Sequence, residues 1–239
     1  MTTVAIVGGD GAGKTTVARH LTTSTGIRAK YLYLGMSAQS GDRLLPTSRI
    51  VLMLKRRSYR RDLAVTSGAT GAAKRIPADR YEYSPRRRGK LWTAARLANR
   101  LVEAWYRQAI SLAYQLRGYV VIYDRHVLLD GGSLAPRSHG RRDWSTDAYH
   151  WLMRNLYPRP DLVLMLDASG DVLFSRKGEA SPEYLEGERL MYLTQAPHLP
   201  HFVRLDASQP VDKVRREAAN LVAELCNSSR PGGPVSRRR

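Results

Sequence analysis

The stretch VGGDGAGKTT, Val7 to Thr16, satisfies the pattern G-x-x-x-x-G-K-[ST] through Gly8, Gly13, Lys14 and Thr15. Gly8, Gly9, Gly11 and Gly13, with the small Ala12 among them, let the backbone curl until its N–H groups point inward at phosphate oxygens. A helix beginning near Lys14 backs such a curl with its positive end. Lys14 suits the β- and γ-phosphates, and the hydroxyl of Thr15, followed by Thr16, suits Mg²⁺. The chemistry implied is the holding of a magnesium-bound nucleoside triphosphate. No guanine-reading N-K-x-D occurs, which sets GTPases aside. Asp10 is the odd member. A carboxylate inside an anion cradle makes sense if it looks away from the donor phosphates, toward a second substrate.

A second cluster is YDRH, with Asp124 and Arg125 closing an apolar run. A carboxylate at the end of a buried strand orders Mg²⁺ waters or receives an acceptor proton, and the adjacent guanidinium grips an anion bidentately. The third cluster lies within FSRKGEASPEYLEGERLMYL, Phe174 to Leu193. Arg176 and Lys177 precede Gly178, and the helix starters Ser181, Pro182 and Glu183 follow. A basic turn hinged by glycine between helices suits a lid that closes positive charge over transferring phosphates. His126 and His139 carry titratable rings, but structural or solvated roles account for most such histidines.

These residues need elements to hold them. Five short apolar runs read as buried parallel strands, at 3–7, 30–34, 119–123, 162–166 and 201–205. Helical patterns fit 14–24, 91–116, 145–156, 182–195 and 211–226. The clearest has apolar residues at Leu91, Ala95, Ala98, Leu101, Val102, Trp105, Ala109, Leu112, Ala113 and Leu116, recurring every three or four positions. Strands alternating with helices predict a three-layer α/β/α fold on a five-stranded parallel sheet, with ligands at the carboxyl ends of the strands. One domain, 1–226, is expected. The region from about 36 to 90 breaks the rhythm and reads as a basic insertion or lid, and 227–239 as a disordered basic tail.

Composition bounds the rest. The 239 residues include 39 Lys and Arg against 21 Asp and Glu, a net charge of +18. Twelve basic and three acidic residues between Lys55 and Lys90 supply +9 of that. Such a balance speaks to anionic partners, not to fold. No apolar run approaches the roughly 20 residues of a spanning helix, the N-terminus lacks a basic leader, and one cysteine, Cys226, excludes an internal disulfide framework. Cytoplasm is the expected compartment.

The ordered set GGDGAGKTT, DRH, PDLVLMLDAS and RKGE resembles the thymidylate kinase family of P-loop nucleoside-monophosphate kinases. The resemblance implies a P-loop kinase fold, ATP and Mg²⁺, and transfer of the γ-phosphoryl to a nucleoside monophosphate or similar small anionic acceptor. It implies that Lys14 and the amides of Gly8 to Thr16 hold the phosphates, with Thr15 and Asp124 at the metal. It further implies that Asp10 faces the acceptor sugar, Arg125 grips the acceptor's anion, and Arg176 closes on the phosphates. Pairing into a homodimer is a further implication. The departures are specific. Val7 stands where the family commonly has a glutamate, and YLGMSAQS replaces an Arg-Glu-Pro-Gly-type turn. Both phenylalanines, Phe174 and Phe202, fall late, away from the family's thymine-stacking position. These departures, with the basic 55–90 stretch, leave open another acceptor such as a phosphorylated sugar, a glycan end or a lipid-linked species. The charge alone keeps a nucleic-acid-binding or regulatory P-loop ATPase as a further alternative, although no recognition motif for nucleic acid is visible.

Overall fold

The computed structural model describes residues 1–23, 26–35, 90–129, 144–178, 180–199 and 201–228. Five strands carry it: β1 (Thr3–Val7), β2 (Ala29–Tyr33), β3 (Val120–Asp124), β4 (Leu162–Asp167) and β5 (Phe202–Asp206). All neighbouring pairs are parallel, in the order β2-β3-β1-β4-β5. The helices are α1 (Lys14–Thr23), α2 (Lys90–Leu116), α3 (Trp144–Leu156), α4 (Gly170–Lys177), α5 (Pro182–Gln195) and α6 (Val211–Ser228). The expected α/β fold with a five-stranded parallel sheet is what the chain adopts. The expected insertion, 36–89, and the tail beyond Ser228 lie outside the described residues. The start of the expected tail, Asn227 and Ser228, belongs instead to the last turn of α6.

Why the strands read as unbroken apolar runs is plain from the two cores. Val4 and Ile6 of β1 face one side, with Val17 and Leu21 of α1 and Val214, Ala218 and Val222 of α6. Ala5 and Val7 face the other, with Tyr123, Met165, and Tyr149 and Met153 of α3. Side chains alternate across the sheet, so a strand covered on both faces must be apolar at every position.

One element departs from the pattern that announces it. In α2 the most regular apolar residues, among them Leu91, Val102, Trp105, Leu112 and Leu116, are exposed. The buried positions of the same helix are Thr93, Ala104, Arg107 and Ser111. Periodicity locates the helix correctly, but its apolar stripe points outward. The interior face packs Ala104 and the half-buried Leu97, Leu101, Ile110 and Tyr114 on the core and also bonds to the sheet side through polar groups. Ser111 Oγ and Tyr123 Oη lie 2.6 Å apart, and Arg107 Nη1 donates to the carbonyls of Leu34 and Gly35 at 3.0 and 3.2 Å. Glu103 neutralises Arg107 at 2.9 Å, as a buried guanidinium requires.

Candidate functional site

Three strand ends converge. Register places Ile6 opposite Asp124, and Val7 opposite Met165, so the loop after β1 emerges between the carboxyl ends of β3 and β4. The loop turns at once into α1, whose first turn carries no acidic residue. Its positive end is left for an anion. Gly8 has φ 140, and a Cβ there would stand 2.5 Å from the Leu166 carbonyl oxygen. Only glycine lets the loop pass this close to β4.

Lys14 is buried at 6% exposure and donates from Nζ to the carbonyls of Gly8 and Gly9, at 2.9 and 2.8 Å. The ammonium therefore sits inside the loop it is expected to serve. Asp10 Oδ1 lies 3.4 Å from that Nζ and also accepts from Arg125 Nη2. Burial works against the charge of Asp10. Lys14 first, then Arg125 and Lys177, outweigh it and hold the carboxyl below its ordinary range. The odd residue of the loop thus bridges the lysine and the arginine of the DR pair. Arg125 reaches it from a left-handed backbone, φ 68, its N–H held by the Ile6 carbonyl at 3.1 Å.

Asp124 is 1% exposed. Its Oδ2 accepts from Thr15 Oγ1 at 2.6 Å and from Tyr31 Oη at 2.8 Å. Its Oδ1 is buried and has no hydrogen-bond partner among the described residues. Burial, then donation to Asp124, raises the phenol of Tyr31 well above its usual value, so it stays a donor. A hydroxyl and a carboxylate with a spare lone pair, side by side at the mouth of a phosphate loop, fit the hard oxygen ligation of Mg²⁺. Thr15 and Asp124, the two residues expected at the metal, are brought together here.

The region expected to form a lid is a helix pair. Lys177 closes α4, and Gly178 caps it in the left-handed region, φ 64, with its N–H on the Phe174 carbonyl. Ser181 starts α5 by accepting from the Tyr184 N–H, with Pro182 in the first turn. Arg176 and Lys177 therefore lie in the last helical turn, not in the connecting turn. Arg176 donates to the carbonyls of Ala207 and Ser208 beyond β5, at 2.8 and 3.5 Å. Its neighbour Lys177 is the cation of α4 felt by Asp10. The pair is anchored at the β4 exit by Asp167, which accepts from Arg189 Nε at 2.6 Å and Arg204 Nε at 3.1 Å. Glu186 Oε2 takes the N–H of Gly170 at 3.0 Å.

His126 is interior. Its Nδ1 accepts from the Leu128 N–H at 3.3 Å, its ring contacts those of Tyr123 and Tyr157, and burial pushes its pKa down to about 3. It is no proton carrier at neutral pH. His139 lies outside the described residues. Sequence reasoning missed Tyr31, the Glu103–Arg107 pair and the role of Lys177. Tyr31 reaches Asp124 across 93 residues of chain and Arg107 reaches the Gly35 carbonyl across 72, contacts no local spacing signals, whereas Glu103 and Arg107 stand at the ordinary helical i,i+4 spacing.

A parallel sheet in this strand order, with the loop and DR pair at its carboxyl edge, defines a P-loop kinase fold. No family model matches the chain. A probable thymidylate kinase of Archaeoglobus fulgidus is 25% identical over 231 residues, covering 94% of this chain and 96% of the relative. The chain is thus thymidylate kinase-like along nearly its whole length, as a divergent relative. That likeness supports a nucleotide kinase in general. Among the described residues no helix is long and apolar enough to cross a membrane.

Proposed function

We propose that the chain is an ATP-dependent phosphotransferase that moves the γ-phosphoryl of Mg-ATP to the phosphate of a nucleoside monophosphate or a similar small anionic acceptor. The observation that carries this reading is the state of Asp10. Lys14, Arg125 and Lys177 hold it ionised, which makes it a poor proton acceptor and a good orienter. A phosphate acceptor is already a nucleophile at neutral pH and requires no base. A neutral hydroxyl acceptor is helped by one. The interior His126 supplies none.

Each side chain then has a defined part. Lys14 and the loop amides bind the donor phosphates, and Thr15 and Asp124 hold the magnesium, which when bound neutralises phosphate charge. Arg125, tethered by Asp10, presents a guanidinium to the acceptor's anion. Lys177 and Lys14 spread the charge of the transferring group. Positioning and neutralisation are most of what phosphoryl transfer asks of a protein.

The test is ADP release from Mg-ATP across nucleoside monophosphates, nucleosides and phosphorylated sugars, with Lys14→Ala as control. Release that depends on a monophosphate and is lost in the variant is expected. Turnover unchanged in Lys14→Ala would remove the loop from the chemistry. Turnover with unphosphorylated nucleosides alone would overturn the phosphate acceptor. Thymidine monophosphate belongs in the panel because the relative carries that name, although the family's acceptor turn and stacking phenylalanine are missing here.

A further inference from the structure

Arg107 shares the core-facing side of α2 with the apolar Leu97, Leu101, Ala104, Ile110 and Tyr114, and is itself buried. A leucine or methionine would fill that place without taking a guanidinium out of water. The cost is offset by a fork used on two edges. Nε and Nη2 donate to Glu103 Oε1 at 3.0 and 2.9 Å, which neutralises the charge within the helix. Nη1 leaves the helix and donates to the carbonyls of Leu34 and Gly35. That second edge is the one an apolar residue could not supply.

The two carbonyls lie where β2 ends. β2 is an edge strand, and its ladder with β3 closes at Tyr33 opposite Asp124. The Leu34 N–H adds one further bond, to the Asp124 carbonyl at 3.0 Å. Arg107 carries the hold one residue beyond the ladder, to Gly35, by setting two successive carbonyls on one nitrogen. Gly35 is in turn a wall of the candidate site. A Cβ on it would collide with Tyr33 Oη and stand 2.8 Å from Arg125 Cδ, so the bare Cα lies against the stem of Arg125. The head of Arg125 is tethered by Asp10, and its backbone N–H by the Ile6 carbonyl. Gly35 bounds the stem on the remaining side, toward β2. A continuous run of contacts therefore leads from α2, through the end of β2, to the arginine of the DR pair.

We infer that Arg107 is a positioning residue for the acceptor: through the Leu34 and Gly35 carbonyls it fixes the wall that aims Arg125 at the acceptor's anion. The inference rests on the part given to Arg125 under the proposed function. Arg107 is buried beneath the wall and acts only through it.

The experiment replaces the buried ion pair as a unit. In the double variant Glu103→Leu with Arg107→Met both charges give way to apolar side chains, an exchange that is often neutral or stabilising for a buried pair. The readout is steady-state ADP release at saturating Mg-ATP, with thymidine, uridine, cytidine and adenosine monophosphates as acceptors in turn, beside thermal melts. The melting temperature should be kept or raised. The acceptor KM should rise roughly tenfold or more, because a guanidinium displaced by about 1 Å loses its aim at the anion. The kcat at saturating acceptor and the KM for ATP should stay within about threefold. Gly35→Ala presses a methyl on the same stem with every charge in place, and should raise the acceptor KM likewise. Combined with the double variant it should add less than its own effect, since both act on one wall. If the double variant melts below the assay temperature, Gly35→Ala carries the test alone. An acceptor KM within twofold of the parent in the folded variants overturns the inference, and so does a KM for ATP that rises as much as that for the acceptor. Arg125→Lys separates the two levels. A raised acceptor KM there, with a parental one in the double variant, strikes the role of Arg107 alone. A parental acceptor KM in Arg125→Lys strikes the acceptor role of Arg125 and the inference with it.

Discussion

Replacing Tyr31 by phenylalanine removes one hydroxyl and leaves the ring packed against the core beneath β2. The lost bond runs to Asp124 Oδ2 at 2.8 Å, and a hydrogen bond to a charged group contributes about 1.5–3 kcal/mol. In the ligand-free chain Thr15 still donates to the same oxygen. The stability loss should therefore sit at the low end, about 1.5 kcal/mol, or about 3–6 °C in Tm for a domain of this size. Function should suffer more. Under the proposed reading Thr15 would meet magnesium through an oxygen lone pair and keep its proton on Asp124 Oδ2, with Tyr31 as the second donor that fixes the aim of a carboxylate 1% exposed. A loss of about 10- to 100-fold in kcat/KM follows from about 1.4–2.8 kcal/mol. The assay is coupled ADP release at saturating acceptor, run beside a Mn²⁺ titration of the nucleotide-bound protein, which should weaken in parallel. The phenol's pKa is raised by burial and by Asp124, so it remains a donor across neutral pH. The deficit should accordingly be constant between about pH 6 and 9. Turnover and metal affinity within twofold of the parent, or a deficit that titrates across that range, would refute the arrangement.

Other consequences are as direct. Lys177 is the cation of α4 felt by Asp10, whereas Arg176 is tied to the Ala207 and Ser208 carbonyls. Lys177→Ala should lower kcat roughly tenfold with ATP affinity nearly kept, while Arg176→Ala should mainly loosen α4; steady-state kinetics that reverse this order would contradict the placement. Asp167 is held below its usual carboxylate range, because Arg189 and Arg204 outweigh the opposing effect of burial. A depressed carboxyl takes up protons more readily in the unfolded chain. Its stabilisation is complete at neutral pH and is lost as pH falls from about 4 toward the folded value. Asp167→Asn should cost about 1–3 kcal/mol at pH 7, discounted for the half-exposed Arg204, and should flatten the acid limb of Tm against pH. An unchanged acid limb would place the acid sensitivity elsewhere.

The strands were legible because both faces of the sheet are covered, which forces apolar runs that end within a residue of where β1 to β5 begin and stop. The loop was legible because Gly8 and Lys14 answer local demands of backbone and charge. Thr15 and Asp124 were each visible as metal candidates, but the phenol that joins them was not. Tyr31 and Tyr33 alternate along β2 like any half-covered strand, and only the pairing with β3 brings the former within reach of Asp124. For α2, periodicity revealed the helix and concealed its orientation. An apolar stripe satisfies the same spacing whichever way it faces, and the core-facing side combines Leu97, Leu101, Ala104, Ile110 and Tyr114 with the buried Arg107 and Ser111, which no hydrophobic pattern marks. Arg176 and Lys177 are adjacent in sequence, and which of them faces the loop depends on how α4 lies on Gly11, where an added Cβ would stand 2.9 Å from the Leu173 carbonyl oxygen and 3.6 Å from the Lys177 Cβ.

Arg125 has one more implication, for the way the chain can evolve. Its φ of 68 costs a side-chain-bearing residue about 1–2 kcal/mol relative to a relaxed backbone. Glycine would recover that energy and discard the guanidinium that meets Asp10. Selection for robustness and selection for the ion pair therefore pull this position in opposite directions. Laboratory selection for heat resistance alone, with no demand for activity, should drift toward glycine at 125 before it touches the neighbouring Asp124.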